Sequence, residues 1–281
     1  MTAGPGTSAT GRNKRATTTA KPLPGLGPGA SGPAVQALEQ RLAALHYDPG
    51  RVDGRYDSTT AFAVMAFQKV TGMARSGRAT DDVVAAVQTA GEPAAMIPAG
   101  GGDRVEVDLK RQVLFVYQGG SLARILPVST GSGKRYCVDG ECDRAVTPGG
   151  SFRVGRKILG DHESKLGHLF NPLFFNGGIA IHGAASVPPY PASHGCVRIP
   201  MADSMWFFRS VASGTPVYVI GGPHAPVPFN EPAPGEKPPA TTTSTPASTS
   251  SSTTSTTAKP TTTSSTTTST TTPSTTTTST P

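Results

Sequence analysis

Two short stretches carry the side chains best suited to covalent chemistry: Ile181-His182-Gly183, and Ser193-His194-Gly195-Cys196-Val197-Arg198. A thiol attacks a carbonyl only once it has lost its proton, and a neighbouring imidazole can either take that proton or hold the thiolate as a Cys⁻/His⁺ pair. Cys196 is the candidate nucleophile, and His182 and His194 compete to be its base. The separation of 196 − 182 = 14 residues closes a loop comfortably, returning the cysteine to the end of a strand that delivers His182. A zinc site from His182, His194 and Cys196 would lack a fourth ligand at convincing spacing. The bland alternative, a buried small thiol and a satisfied core histidine, fits an isolated Cys and His better than two motifs within one domain.

Positioning such a pair requires folded elements, and composition limits where they lie. The chain has 281 residues, a net charge of +7 and a pI near 9.5. Its end, residues 223–281, becomes a near-continuous run of Thr, Ser and Pro with too little apolar surface to offset ordering entropy, which reads as a disordered or O-glycosylated stalk. Residues 1–30 are similarly rich in Gly, Pro and Thr around Arg12, Lys14 and Arg15. That leaves about 190 residues for folded domains. The basic residues are scattered and not interleaved with aromatics, which argues against a nucleic-acid groove and for anionic envelope polymers. No apolar run is long enough for a transmembrane helix, and no apolar core of a signal peptide follows the N-terminal basic cluster.

From 31 to 90 the pattern is helical. Val35, Leu38, Leu42 and Leu45 share a face behind Ser31-Gly32-Pro33. A second helix is expected after Asp57 or Ser58 as cap, carrying Val64, Phe67 and Val70 and ending at Gly72. A third fits Thr80 to Val87, while Pro49-Gly50 and Asp53-Gly54 mark turns. Val35-Gln36-Ala37-Leu38, Leu45-His46-Tyr47-Asp48, Val52-Asp53-Gly54 and Ala66-Phe67-Gln68 together resemble the peptidoglycan-binding domain of wall hydrolases and transpeptidases. Most of these residues serve equally as scaffold; the resemblance implies recognition of glycan strands or stem peptides by the surface as a whole.

Residues 91–102 turn to Gly, Pro and Ala, a linker signal, and the period then changes to two. Val105, Val107 and Leu109 alternate with Glu106, Asp108 and Lys110, and further strands are expected at 113–117, 122–128, 151–154, 179–181 and 217–220. One helix is expected from about Met201 to Val211, with Met205, Trp206 and Phe208 apolar and Trp206 in the core. His162, Glu163 and His168 are expected in a loop with Gly160, Asp161 and Gly167, as solvated polar residues or a flap over the cleft.

The stretch 103–222 closely resembles the L,D-transpeptidase catalytic domain. The resemblance rests on the His182 and Cys196 motifs, Asp108-Leu109, Gln112-Val113-Leu114, Pro127-Val128-Ser129-Thr130-Gly131 and Thr147-Pro148-Gly149-Gly150-Ser151-Phe152, in the family's order. It implies Cys196 as nucleophile and His182 as general base with its ring fixed by the Gly183 carbonyl. It also implies an oxyanion hole from the amides around Gly195 and Cys196, and a loop shaped by Ser193 and His194. Where the family often has Asn, this chain has Arg198, which could bind a stem carboxylate or pin the loop through backbone carbonyls. The implied reaction joins stem peptides by 3→3 cross-links with release of D-alanine, needs neither metal nor cofactor, and is blocked by carbapenem acylation. Alternatives are a non-catalytic wall-binding protein, an L,D-carboxypeptidase, or a cysteine endopeptidase.

Cys137 and Cys142 flank a turn at 138–141 and leave Cys196 as the odd cysteine. They are either a disulfide, which points to an oxidising, extracytoplasmic address in the wall, periplasm or secreted space, or two free thiols. The expected architecture is therefore an α+β multidomain chain. A three-helix peptidoglycan-binding bundle at 31–90 precedes a mainly β sandwich at 103–222, between disordered termini.

Overall fold

The computed structural model describes residues 1–2 and 25–223; the expected disordered start through residue 24 and the Thr/Ser/Pro tail from residue 224 lie outside them. Three helices come first: α1 (Pro33–Ala44), α2 (Ser58–Thr71) and α3 (Asp81–Thr89). Their boundaries follow local chemistry. Asp57 accepts hydrogen bonds from the Thr59 and Thr60 amides at 2.8 and 3.0 Å, filling two donors at the open end of α2. Gly72 ends α2 at φ 75°, a left-handed conformation that suits glycine. Thr80 precedes α3 but makes no side-chain cap bond.

The turn at Asp53-Gly54 is tied down by Glu39 of α1. This carboxylate is fully buried and accepts from the Gly54 amide and the Thr60 hydroxyl, both at 2.9 Å. The bundle also begins earlier than residue 31: Leu26 exchanges backbone hydrogen bonds with Ala79 at 2.8 and 3.0 Å and packs on the bundle core. Leu26 sits among Gly and Pro with no helical or strand pattern around it, so only its tertiary partner reveals it.

The second part is mainly β, as the change of period predicts, and its two larger sheets form the sandwich that the family resemblance implies. Its strands are β1 (Arg104–Asp108), β2 (Val113–Gln118), β3 (Ser121–Pro127), β4 (Arg135–Val138), β5 (Glu141–Arg144), β6 (Gly150–Arg153), β7 (Asp161–Ser164), β8 (Gly167–Asn176), β9 (Ile179–Ala184), β10 (Val197–Pro200) and β11 (Pro216–Ile220), with helix α4 (Met201–Ser210) before the last. One sheet runs β3-β2-β1-β11-β6 and the other β10-β9-β8-β7, with β4 and β5 as a separate hairpin. Val105, Val107, Leu114 and Val116 of the first sheet meet Leu173, Phe175, Ile181 and Val197 of the second in one core cluster.

Two expectations change. The region of His162, Glu163 and His168 is not a loop but the hairpin β7–β8, in which Glu163 pairs with His168; its polar residues hid the strand because both faces of β7 carry them. Trp206 is half-buried beneath the Arg124 guanidinium, 3.8 Å from the ring centroid, and Phe207 enters the core instead. Four successive apolar residues at 205–208 give no unique stripe, so the packing of α4 on the sheet decides. The polar side of β1 is covered as well: Arg104 and Glu106 are buried as an ion pair at 2.7 Å, and the Met96 amide donates to Glu106 at 2.9 Å.

Candidate active site

Strands β9 and β10 run parallel with Ile181 opposite Val197 and His182 opposite Arg198. Neighbouring strand residues project from the same face of a sheet, so His182 and Arg198 stand side by side. Cys196 lies one step before β10, and its sulfur accepts from the Ala180 amide at 3.4 Å. Ala180 and His182 are two residues apart on β9 and share a face, which brings Cys196 and His182 together as diagonal neighbours.

The loop that returns Cys196 is fixed by short hydrogen bonds. The Gly195 amide donates to Ser193 Oγ at 3.0 Å, while that hydroxyl donates to the Cys196 carbonyl at 2.6 Å. Thr147 Oγ1 donates to the Gly195 carbonyl at 2.5 Å and accepts from the Gly131 amide at 2.9 Å. Gly195 has φ 146°, and a Cβ there would meet the Val146 carbonyl oxygen at 3.0 Å, so this position demands glycine. Its amide donates to Ser193 Oγ in this loop, and the glycine supplies room and backbone shape there. Gly183 is likewise required by proximity, since a Cβ would lie 2.6 Å from Ser204 Cβ of α4.

His182 is 5 % exposed, and its Nδ1 lies 2.9 Å from the Gly183 carbonyl. A carbonyl only accepts, so Nδ1 carries the hydrogen and Nε2 keeps its lone pair. Burial pushes the imidazole pKa down to about 4; the Gly183 bond opposes that shift and the Arg198 charge adds to it. Arg198 is half-buried. Its backbone exchanges hydrogen bonds with Ser129 at 3.0 and 3.1 Å, and its guanidinium makes no hydrogen bond or ion pair with the described residues. Of its two expected roles, loop pinning falls to this backbone pairing.

These groups open into a cavity of about 690 Å³ lined by Cys196, His182, Ser193, His194 and Arg198 and walled by the hairpins β4–β5 and β7–β8. All the residues expected at the site are thus gathered, with Gly195 held behind Cys196. Cys137 and Cys142 form a disulfide that clips the β4–β5 hairpin. Lys165 at one hairpin tip forms an ion pair with Asp139 at the other. Sequence reasoning missed two wall residues. Tyr136 packs edge-on against His194 at 5.0 Å, and burial, Asp143 and Cys196 raise its hydroxyl pKa. Asn176 is buried, and its side-chain amide finds no hydrogen-bond partner among the described residues. The position of Tyr136 next to Cys137 in the sequence was its sole signal; Asn176 gave none. Among the described residues, no group of three or more His, Cys, Asp and Glu is arranged to hold a metal ion.

Comparison with known proteins adds to this geometry. A family model of the L,D-transpeptidase catalytic domain matches residues 102–219, and one of the peptidoglycan binding domain matches residues 31–87. The fold is similar to an L,D-transpeptidase from Xylanimonas cellulosilytica, with 39% identity over 71% of this chain and 99% of that one and a TM-score of 0.65. A second similar structure is an L,D-transpeptidase from Stackebrandtia nassauensis, at 27% identity over 73% and 98% of the two chains, with a TM-score of 0.40. Among curated proteins, no match was found.

Proposed function

Since the chain belongs to the L,D-transpeptidase family, with a peptidoglycan-binding domain ahead of its catalytic domain, we propose that it forms 3→3 cross-links in peptidoglycan through a thioester on Cys196. The observation that carries this reading is the buried His182, its Nδ1 hydrogen committed to Gly183, beside Cys196 in one cavity. Nε2 of His182 takes the thiol proton as the sulfur attacks the carbonyl between the third residue of a donor stem and its terminal D-alanine. The imidazolium then returns that proton to the departing amine, the C–N bond breaks, and D-alanine leaves an acyl-enzyme. A side-chain amine of a second stem attacks the thioester, giving its proton to His182 and restoring the thiol. Water in place of that amine gives carboxypeptidase action.

The low imidazole pKa supports a neutral imidazole at rest, free to take a proton at Nε2, over a standing imidazolium. Backbone amide donation to the developing oxyanion falls to the Cys196 turn, because the Gly195 amide is engaged. Arg198 offers its guanidinium to a stem carboxylate. The bundle holds glycan strands or stems near this cavity, in keeping with association with the cell wall. Among the described residues, no helix is long and apolar enough to cross a membrane.

Intact-mass spectrometry tests the proposal on the wild type and Cys196→Ala, each incubated with a disaccharide-tetrapeptide and, separately, a carbapenem. The wild type is expected to gain the carbapenem mass and to yield D-alanine and cross-linked dimer, with neither product from Cys196→Ala. A folded wild type with a reduced Cys196 that gives no adduct and no D-alanine would leave a wall-binding role instead.

A further inference from the structure

We infer that Lys69 and Arg75, at the end of α2 and just beyond it, are positioning residues for Cys196: they hold the cysteine-bearing loop from behind, making the bundle part of the catalytic apparatus. The transpeptidase reading supplies the name of the reaction here; the geometry concerns only how the thiol is held.

Lys69 is fully buried, and its Nζ donates to the Val128 carbonyl at 2.7 Å, across 59 residues of sequence. Packing alone would be served by a methionine or leucine at this place, since a buried ammonium carries a desolvation penalty. Burial and the charge of Arg75 bring the Lys69 amine down to about 7.

Val128 opens the segment that backs the catalytic loop. Ser129 exchanges two backbone hydrogen bonds with Arg198, and its hydroxyl donates to the Tyr190 carbonyl at 2.8 Å. The Thr130 carbonyl accepts from the Ala192 and Ser193 amides, both at 2.9 Å. Ser193 in turn bonds the Cys196 carbonyl. Arg75 reaches the other end of the same loop, donating to the Pro189 carbonyl at 3.2 Å and to the Lys110 carbonyl at 3.3 Å. Two basic side chains from the helical part thus hold both the strap behind the loop and the loop's own entry. Neither side chain lines the cavity.

The test compares wild type, Lys69→Met and Arg75→Ala as full chains. D-alanine release from a disaccharide-tetrapeptide gives kcat and KM, iodoacetamide alkylation reads Cys196 without substrate, and thermal unfolding reports the folded fraction. Displacing a reacting atom by about 1 Å can lower a rate a hundredfold, so kcat is expected to fall roughly tenfold or more with KM within about twofold. The alkylation rate is expected to change as well. Unchanged kcat and alkylation in folded Arg75→Ala would overturn the inference, as would losses that merely track the folded fraction. Should Lys69→Met fail to fold, Arg75→Ala decides alone, because its side chain is only half-buried. A wild type that releases no D-alanine would count against the transpeptidase reading, and alkylation would still decide this one.

Discussion

His182 is 5 % exposed with the Arg198 guanidinium across the strand from it, and both facts act on its proton. Its pKa falls from 6.5 to about 4, so between those values the unfolded chain binds a proton that the native chain refuses. This group's stability is fully present above pH 6.5 and declines as pH falls towards 4, at about 1.4 kcal/mol per unit. In denaturant unfolding at pH 7 and pH 5, wild type is expected to lose about 2 kcal/mol more than His182→Gln. Equal losses would mean that the imidazole is not held neutral. His182, Ser193, His194, Gly195, Cys196 and Arg198 were all legible in the sequence because each sits in a short motif. Tyr136 and Asn176 were not, since they reach the cavity only when β4 and β8 are packed beside it.

At the scale of elements, legibility depended on whether the cause was local. The boundaries of α2 could be read from Asp57 and Gly72 because a cap and a left-handed glycine act within a few residues. The hairpin β7–β8 could not, because its pairing partner and the cavity beneath it make it a strand pair. The β4–β5 hairpin is held by the Cys137–Cys142 bridge, with Cys137 facing Cys142 and Tyr136 next along β4 against His194. So short a closed loop adds only about 2 kcal/mol in the chain-entropy account. The bridge matters more for the cavity wall than for global stability. Replacing both cysteines with serine is expected to lower stability by about that amount at most. In steady-state D-alanine release, it should raise KM severalfold with kcat little changed. A KM equal to wild type would show that the wall holds without the bridge.

The whole molecule is organised by β2, whose unbroken run Val113-Leu114-Phe115-Val116-Tyr117 has two buried faces. Leu114 and Val116 belong to the sandwich core, whereas Val113, Phe115 and Tyr117 belong to the core of the helical bundle, together with Leu122 and Ile125 of β3. An apolar run without alternation is the sequence signature of a strand covered on both sides, and it was visible; which element covers the outer side was not, because that contact spans the chain. The two parts are further joined where the Ile125 amide donates to the His46 carbonyl at 2.8 Å and where Arg124 bridges Asp48 and Asp203. Burying a side chain of this size stabilises by about 1.5–3 kcal/mol, so stripping five of them removes on the order of 10 kcal/mol. That equals the entire stability of an ordinary domain, about 5–15 kcal/mol. Residues 103–222 expressed alone are therefore expected to lose cooperative thermal unfolding and to bind a hydrophobic dye, while residues 25–223 unfold in one sharp transition. A sharp, dye-free transition in the shorter chain would show that the sandwich stands without its helices, and the bundle would then be an attachment to the catalytic domain and not one of its walls.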